Sequence, residues 1–315
     1  MPVSSIRARA PGKLFLSGEY AVLQGAPALA CAVGRHVEAS FLSGSAAEKA
    51  EAARWRQAAG DILRRHDLDP GPARSALEID SHPLYSDGGI KLGFGSSAAV
   101  AVAVTGLLLA AQDRAPGAAA GLRVADELHR ALQGPGGSGV DVAACFHGGV
   151  IAVQGDGVDS LSWPDGLYCD VIFTGRDADT GSAIGRFRQA LRDGDGAAFK
   201  GLCAAADAVR HAWERDADAV LAALEGYAGA WRALDRSARL GVYSREHLQL
   251  QGLARAAGCV YKPSGSGGGD CGLAFSGNPG KLDTLREAVR DEGFLPLAVD
   301  LGVEGLRVRR QDDHA

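Results

Sequence analysis

The chain has no surplus of positive charge. Among its 315 residues, 33 Lys and Arg stand against 38 Asp and Glu, for a net charge of −5. That excludes a global basic field of the kind that gathers nucleic acid or an acidic membrane surface. Anions, if bound, must be met by local cations. The six cysteines, Cys31, Cys145, Cys169, Cys203, Cys259 and Cys271, form no Cys-x-x-Cys pair and have no histidine cluster beside them. This argues against a zinc site. Most lie among apolar neighbours and read as reduced, buried thiols of a cytoplasmic protein. The N-terminus reaches Arg7, Arg9 and Lys13 without an apolar stretch, so no signal peptide is expected. No run is long enough to cross a bilayer. The uncharged stretch 92–112 has an apolar part that falls short of the ~20 residues required. It opens on Gly93-Phe94-Gly95-Ser96-Ser97 and reads as a helix buried on all sides. There is no Walker A loop, no G-x-G-x-x-G after a strand, no internal repeat and no extended low-complexity tract.

What is present is the composition of a folded globular protein, 46% hydrophobic and 23% charged, long enough for one large domain or two ordinary ones. Short strands are expected at 6–10, 13–17, 28–33 and 37–42, separated by Gly and Pro signals. An exposed amphipathic helix follows at 46–66, then a strand at 76–80. The buried helix begins near Ser97, a second helix spans 119–132, a Gly-rich turn spans 134–139, and a strand at 150–153 closes this half. The second half restarts with a strand at 169–174. Helices follow at 181–192, 197–213, 217–240 and 245–257, then strands at 259–262 and 272–275, a helix at 282–291 and a strand at 295–299. The polar tail 309–315 is expected to fray. The pattern is mixed α and β in two parts, 1–165 and 166–315.

Three glycine-rich segments carry the chemistry. In Lys91-Leu92-Gly93-Phe94-Gly95-Ser96-Ser97-Ala98-Ala99, glycines let the backbone approach an anion, and the following helix adds an N-terminus with free N–H groups. Ser96 and Ser97 can cap the helix, bond a phosphate or ligate Mg²⁺. The plainer alternative is an ordinary serine-capped helix. Ser264 to Gly272 holds five glycines and Asp270 between apolar, strand-like flanks, which argues for a loop pressed against something. Its plain alternative is a flexible linker. In Ala10-Pro11-Gly12-Lys13-Leu14-Phe15-Leu16-Ser17-Gly18-Glu19-Tyr20, a lysine interrupts an apolar strand. Burying it is costly unless it meets an anion or a carboxylate, although an edge-strand lysine facing water would need neither.

Taken in order, the three segments resemble the GHMP kinase superfamily of galactokinase, homoserine kinase, mevalonate kinase and phosphomevalonate kinase. Pro11-Gly12-Lys13 with Gly18-Glu19 is similar to its first motif, Gly93 to Ala99 to its second and Gly265 to Gly272 to its third. Tyr20, followed by Ala21-Val22-Leu23, and the run from Lys262 to Gly272 with Asp270 lean toward the phosphomevalonate kinase branch. Gly137-Ser138-Gly139-Val140-Asp141 also fits. The chain is short for that branch between Leu42 and Ser75.

The resemblance implies an α+β fold of two domains. The N-terminal one would be like domain 2 of ribosomal protein S5 and the C-terminal one ferredoxin-like, with ATP and acceptor between them. It implies Lys13 and Asp141 as a paired catalytic couple. Lys91, Gly93, Gly95, Ser96, Ser97 and Ala98 would hold the nucleotide, with Mg²⁺ on Ser96 or Ser97 and Glu127. The acceptor would meet Ser17, Glu19, Tyr20, Ser138 and Gly139, together with Lys262, Ser264, Gly265, Gly267, Gly268 and Asp270. The expected partners are ATP, Mg²⁺ and phosphomevalonate or mevalonate, without nucleic acid or membrane, in a monomer or homodimer. A decarboxylating cousin and a non-catalytic ligand sensor are the other readings. The sensor would be expected to lose Lys13, Asp141 or the glycine loop, and all three are present.

Overall fold

The computed structural model describes residues 6–43, 47–112, 118–134, 137–178, 180–193 and 196–310. Strand β1 (Ile6–Ser17) pairs antiparallel with β2 (Ala28–Phe41) along most of its length. The four short strands expected here are therefore two long ones. The Pro11-Gly12 signal marks a shift of register rather than an end, because a bulge absorbs the donor that proline lacks. After α1 (Ala50–Arg65), strand β3 (Leu77–Asp80) pairs with β2.

Helix α2 (Ser96–Ala110) is buried at every residue from Ala98 to Ala110, as its unbroken apolar sequence requires. It lies against β1 and β2 on one side and against α1, α3 (Ala118–Gln133) and α4 (Val140–His147) on the other. Strand β4 (Val150–Gln154) pairs with β2 and with β5 (Gly157–Leu161). The last of these was not expected, because its sequence is short, polar and largely exposed.

The second half holds β6 (Tyr168–Phe173), α5 (Thr180–Asp193), α6 (Gly196–Ala212), α7 (Ala217–Ala238), α8 (Arg245–Ala256), β7 (Val260–Pro263), β8 (Cys271–Ser276), α9 (Pro279–Asp291) and β9 (Leu295–Leu297). Its sheet is antiparallel in the order β7-β8-β6-β9. Side-chain caps start three of its helices: Asp216 accepts from Ala219 N, Ser244 from His247 N and Asn278 from Gly280 N. The Asn278 cap and Pro279 explain why α9 begins three residues ahead of the expected 282.

The chain then crosses back over the division expected at 165. Val33 bridges Leu301, Gly148 bridges Glu304, and β10 (Arg307–Arg310) pairs with β1. The tail expected to fray thus begins as an edge strand, and residues 311–315 lie outside the described ones. The six cysteines are free thiols, four of them buried. Among the described residues, no helix is long and apolar enough to cross a membrane.

Candidate active site

Strand β1 delivers Lys13 into the interior, where it is 8% exposed. Among the described residues no hydrogen bond or ion pair reaches its Nζ, which lies 5.1 Å from the centroid of the Phe15 ring. Its backbone N–H donates to Phe94 O at 2.9 Å, tying the first motif to the second. Its stem runs along Gly95: a Cβ placed there would lie 2.6 Å from Lys13 Cε. Gly95 is also the N-cap of α2 and is left-handed, with φ +70°.

The third motif closes the same turn from the other side. A Cβ on Gly93, at φ +79°, would lie 2.4 Å from the Cβ of Asp270. Cys271 Sγ donates to Leu92 O at 3.1 Å. Asp270 is pinned in turn. Its Oδ1 accepts from Ala178 N at 3.0 Å, its N–H donates to Arg176 O, and its carbonyl accepts from both N and Oγ1 of Thr174. Burial pushes its carboxyl up to about 6, against the Ala178 hydrogen bond and the charges of Lys13 and Lys91. The glycines of the second motif are thus flanked by Lys13 of the first motif and Asp270 of the third. Lys91, two residues earlier, is exposed.

Helix α4 brings a second N-terminus to this place. Gly139, left-handed at φ +80°, precedes it, Ser138 is half-buried and Asp141 stands in its first turn. The expected pairing of Lys13 with Asp141 is not formed. Asp141 Oδ2 instead lies 3.9 Å from His129 Nε2, and Oδ1 accepts from Val142 N. The two charges still share one neighbourhood, since both act on the buried Cys145 thiol. Glu127 does not turn to the phosphate loop. It is bonded to Arg65 and His66 at the end of α1, so it is not placed as a ligand beside Ser97.

Residues expected to touch the acceptor form an interior clamp instead. Lys262 Nζ lies 2.6 Å from Glu19 Oε1, with side-chain exposures of 0% and 2%. Tyr227 Oη donates to Glu19 Oε2, and Lys262 Nζ donates to Phe15 O. Ser264 Oγ bonds both N and O of Phe15, and Tyr20 Oη donates to Ser266 O. Ser17 is fully buried. Glu19, Tyr20, Lys262 and Ser264 join the first motif to the third and are all buried. Gly267 packs on Val242, and Gly268 donates to Val242 O. At Gly265 a Cβ would meet nothing within 4 Å.

Sequence reasoning missed His129, whose Nε2 is 3.1 Å from Ser97 Oγ. A signal existed: Asp126, His129, Arg130 and Gln133 recur at i, i+3, i+4 and i+7, a polar stripe along α3. It also missed Trp55 and Tyr85, which with Lys91, Ser96 and Ser97 line a cleft beside the start of α2.

A family model described as the GHMP kinases N terminal domain matches residues 55–149. Phosphomevalonate kinase of Streptomyces sp. strain CL190 is 30% identical, over 94% of this chain and 97% of that protein. The chain belongs to the GHMP kinase family. Membership carries the reaction class, an ATP-dependent small-molecule kinase. As a GHMP kinase it has the fold of Streptococcus pneumoniae phosphomevalonate kinase, solved in complex with phosphomevalonate and AMPPNP (TM-score 0.78, 20% identity, 94% of this chain and 99% of that one). The L. major mevalonate kinase bound to R-mevalonate has the same fold (TM-score 0.71, 17% identity, 94% and 97%).

A GHMP kinase implies Mg²⁺, and the donor set suits one held mainly by phosphates. Ser96 and Ser97 offer hydroxyls at a helix N-terminus, and among the described residues no cationic side chain bonds the Asp141 carboxylate at hydrogen-bond distance. Mg²⁺ on a nucleotide needs only one or two protein carboxylates or hydroxyls and keeps water elsewhere.

Proposed function

We propose that this GHMP kinase transfers the γ-phosphate of ATP to the phosphate of 5-phosphomevalonate, giving diphosphomevalonate. The observation that carries it is Lys13. It is a nearly buried lysine with no hydrogen-bond acceptor among the described residues, set where three glycine turns meet. A buried ammonium without a direct acceptor is costly, and an anion bound from outside would relieve that cost. The choice of acceptor is supported by the Streptomyces relative, named a phosphomevalonate kinase, and by the run from Lys262 to Gly272.

Phosphoryl transfer depends on positioning and neutralisation of charge rather than covalent help. The free N–H groups of α2, with Ser96 and Ser97, hold the triphosphate. The cleft lined by Tyr85, Lys91, Ser96 and Ser97 opens beside this N-terminus. Ser96 or Ser97 would hold Mg²⁺, which would supply charge neutralisation to the triphosphate. Lys13 stabilises charge on the group in flight. A phosphate monoester has its second pKa near ~6 and is mostly dianionic at neutral pH. It therefore needs no base to become a nucleophile, and Asp141 acts chiefly by orienting the acceptor. With Lys262 committed to Glu19, the exposed Lys91 is the first choice of cation for the acceptor's own phosphate. The free thiols favour a reducing, cytoplasmic setting for the reaction.

The test is steady-state kinetics with Mg·ATP and either 5-phosphomevalonate or mevalonate. A higher kcat/KM for 5-phosphomevalonate is expected. Preference for mevalonate would replace this reading with the alcohol-phosphorylating one.

A further inference from the structure

Helix α3 places one imidazole between the two helix N-termini of the site. His129 Nε2 is 3.1 Å from Ser97 Oγ, in the first turn of α2. The same atom is 3.9 Å from Asp141 Oδ2, in the first turn of α4. The His129 side chain is only 12% exposed, so it is packed in place rather than free in solvent. We propose that His129 is a positioning residue of the transfer site, which fixes the Ser97 hydroxyl and sets its separation from the Asp141 carboxylate.

The reasoning starts from Ser97. A serine in the first turn of a helix has several local acceptors and donors open to it, and its hydroxyl hydrogen rotates freely. In the tautomer that carries its hydrogen on Nε2, His129 donates to Ser97 Oγ; one lone pair is then occupied and the hydroxyl hydrogen is free to turn outward. It can then donate to a phosphate oxygen lying against the α2 N-terminus. Asp141 gains a second constraint from the same imidazole. Its own contact, with Val142 N, is a neighbouring backbone group and does not fix where the carboxylate sits relative to α2. His129 is the side chain that links the two.

Why a histidine serves here follows from the partners. It must donate to a hydroxyl and face a carboxylate from one atom, on a ring held stiffly by two torsions. A lysine at this position would neutralise Asp141 outright. A carboxylate would repel both Asp141 and the triphosphate. The flanking polar groups on α3 are already engaged with each other: Arg130 Nε donates to Asp126 Oδ2 at 2.6 Å and Arg130 Nη1 to Gly137 O. Among the described residues of this face, His129 is the one hydrogen-bonded to Ser97, while Gln133 lines the neighbouring cleft.

This inference rests on the kinase reading for its choice of substrates, and its test separates the two. The wild-type acceptor preference decides the reading. His129 is then tested with whichever acceptor the wild type turns over, and separately by calorimetric binding of AMPPNP, which needs no acceptor. Three variants are compared: His129→Ala, His129→Leu and His129→Gln, the last keeping an N–H donor at similar reach. With Ala and Leu, kcat is expected to fall about 10- to 100-fold, the scale of a displaced reacting group. AMPPNP affinity should weaken severalfold. Gln should recover most of both losses, and the thermal midpoint should change little across the three. Unchanged kcat and AMPPNP affinity in the Ala variant would overturn the proposal. So would a Gln variant as poor as Leu, or losses that simply track a fall in thermal stability.

Discussion

Glu19 and Lys262 form a buried ion pair across the two halves of the molecule, 2.6 Å apart with side-chain exposures of 2% and 0%. Burial pulls the ammonium of Lys262 below its ordinary pKa, and Glu19 opposes that pull. The pair sits behind the first motif and under the third. Its work is to hold the end of β1 against β7 so that Lys13 and Asp270 reach the same glycine turn.

Removing one member strands the other charge in the interior. Lys262→Met is expected to cost about 3–5 kcal/mol, and Glu19→Leu a similar amount. The double variant should cost clearly less than the sum, because no orphaned charge remains. Urea unfolding of the three variants makes the cycle, and strictly additive losses would show that the two charges are not coupled.

The two phosphate-loop glycines should respond differently to an added methyl. At Gly95 the obstacle is Lys13 Cε, toward the far end of a flexible side chain. Gly95→Ala should displace Lys13 and lower kcat steeply while stability falls by about 1–2 kcal/mol from the left-handed backbone. At Gly93 the obstacle is the Cβ and carboxyl of Asp270, pinned by Ala178 and Thr174. Gly93→Ala should therefore lose more stability than Gly95→Ala. Thermal melts beside kcat for both proteins check the order.

How legible this was varied with the kind of signal. The buried helix α2 was readable because thirteen consecutive buried residues left no polar face to misplace. The glycine turns were readable because glycine density has few other uses. The roles of Glu19, Tyr20, Lys262 and Ser264 were not. A polar residue within a motif looks the same in sequence whether it faces a ligand or another motif, and only the 243-residue separation of Glu19 from Lys262, closed by folding, decides. Strand β10 was obscured because Arg307 to Arg310 carries almost no apolar pattern and owes its strand to β1. His129 was hidden by its spacing, twelve residues before Asp141 and on a different helix.

Asp141 offers a way to read the chemistry from a variant. General-base catalysis is worth about 100- to 10,000-fold, so an abstracted proton would make Asp141→Asn that costly. With a dianionic phosphate acceptor only orientation is lost, and a fall of about tenfold or less is expected. The rate of both proteins should still rise as the acceptor loses its last proton near pH ~6. A pH–rate profile of wild type and Asp141→Asn gives both quantities. Loss of that shared limb in the variant would point to a proton taken by Asp141.

The loop of the third motif also joins two groups that titrate with opposite consequences. His247 is fully buried; its Nε2 is 2.9 Å from Gly269 O and its Nδ1 is 2.8 Å from Tyr261 Oη. Burial drops its pKa from 6.5 to about 4, so between those values the unfolded chain holds the extra proton and stability rises with pH. Asp270, the residue after Gly269, is raised by burial from 3.8 to about 6. Over that span the folded chain holds the extra proton, and stability falls as pH rises. Each effect amounts to about 3 kcal/mol at full extent, so in the wild type they largely cancel. His247→Gln should remove the first and leave a protein that, relative to wild type, loses stability from pH 4 to 6. Asp270→Asn should remove the second and, relative to wild type, gain stability over the same range. Urea midpoints across pH for the three proteins test this, and difference slopes of the same sign in the two variants would contradict it.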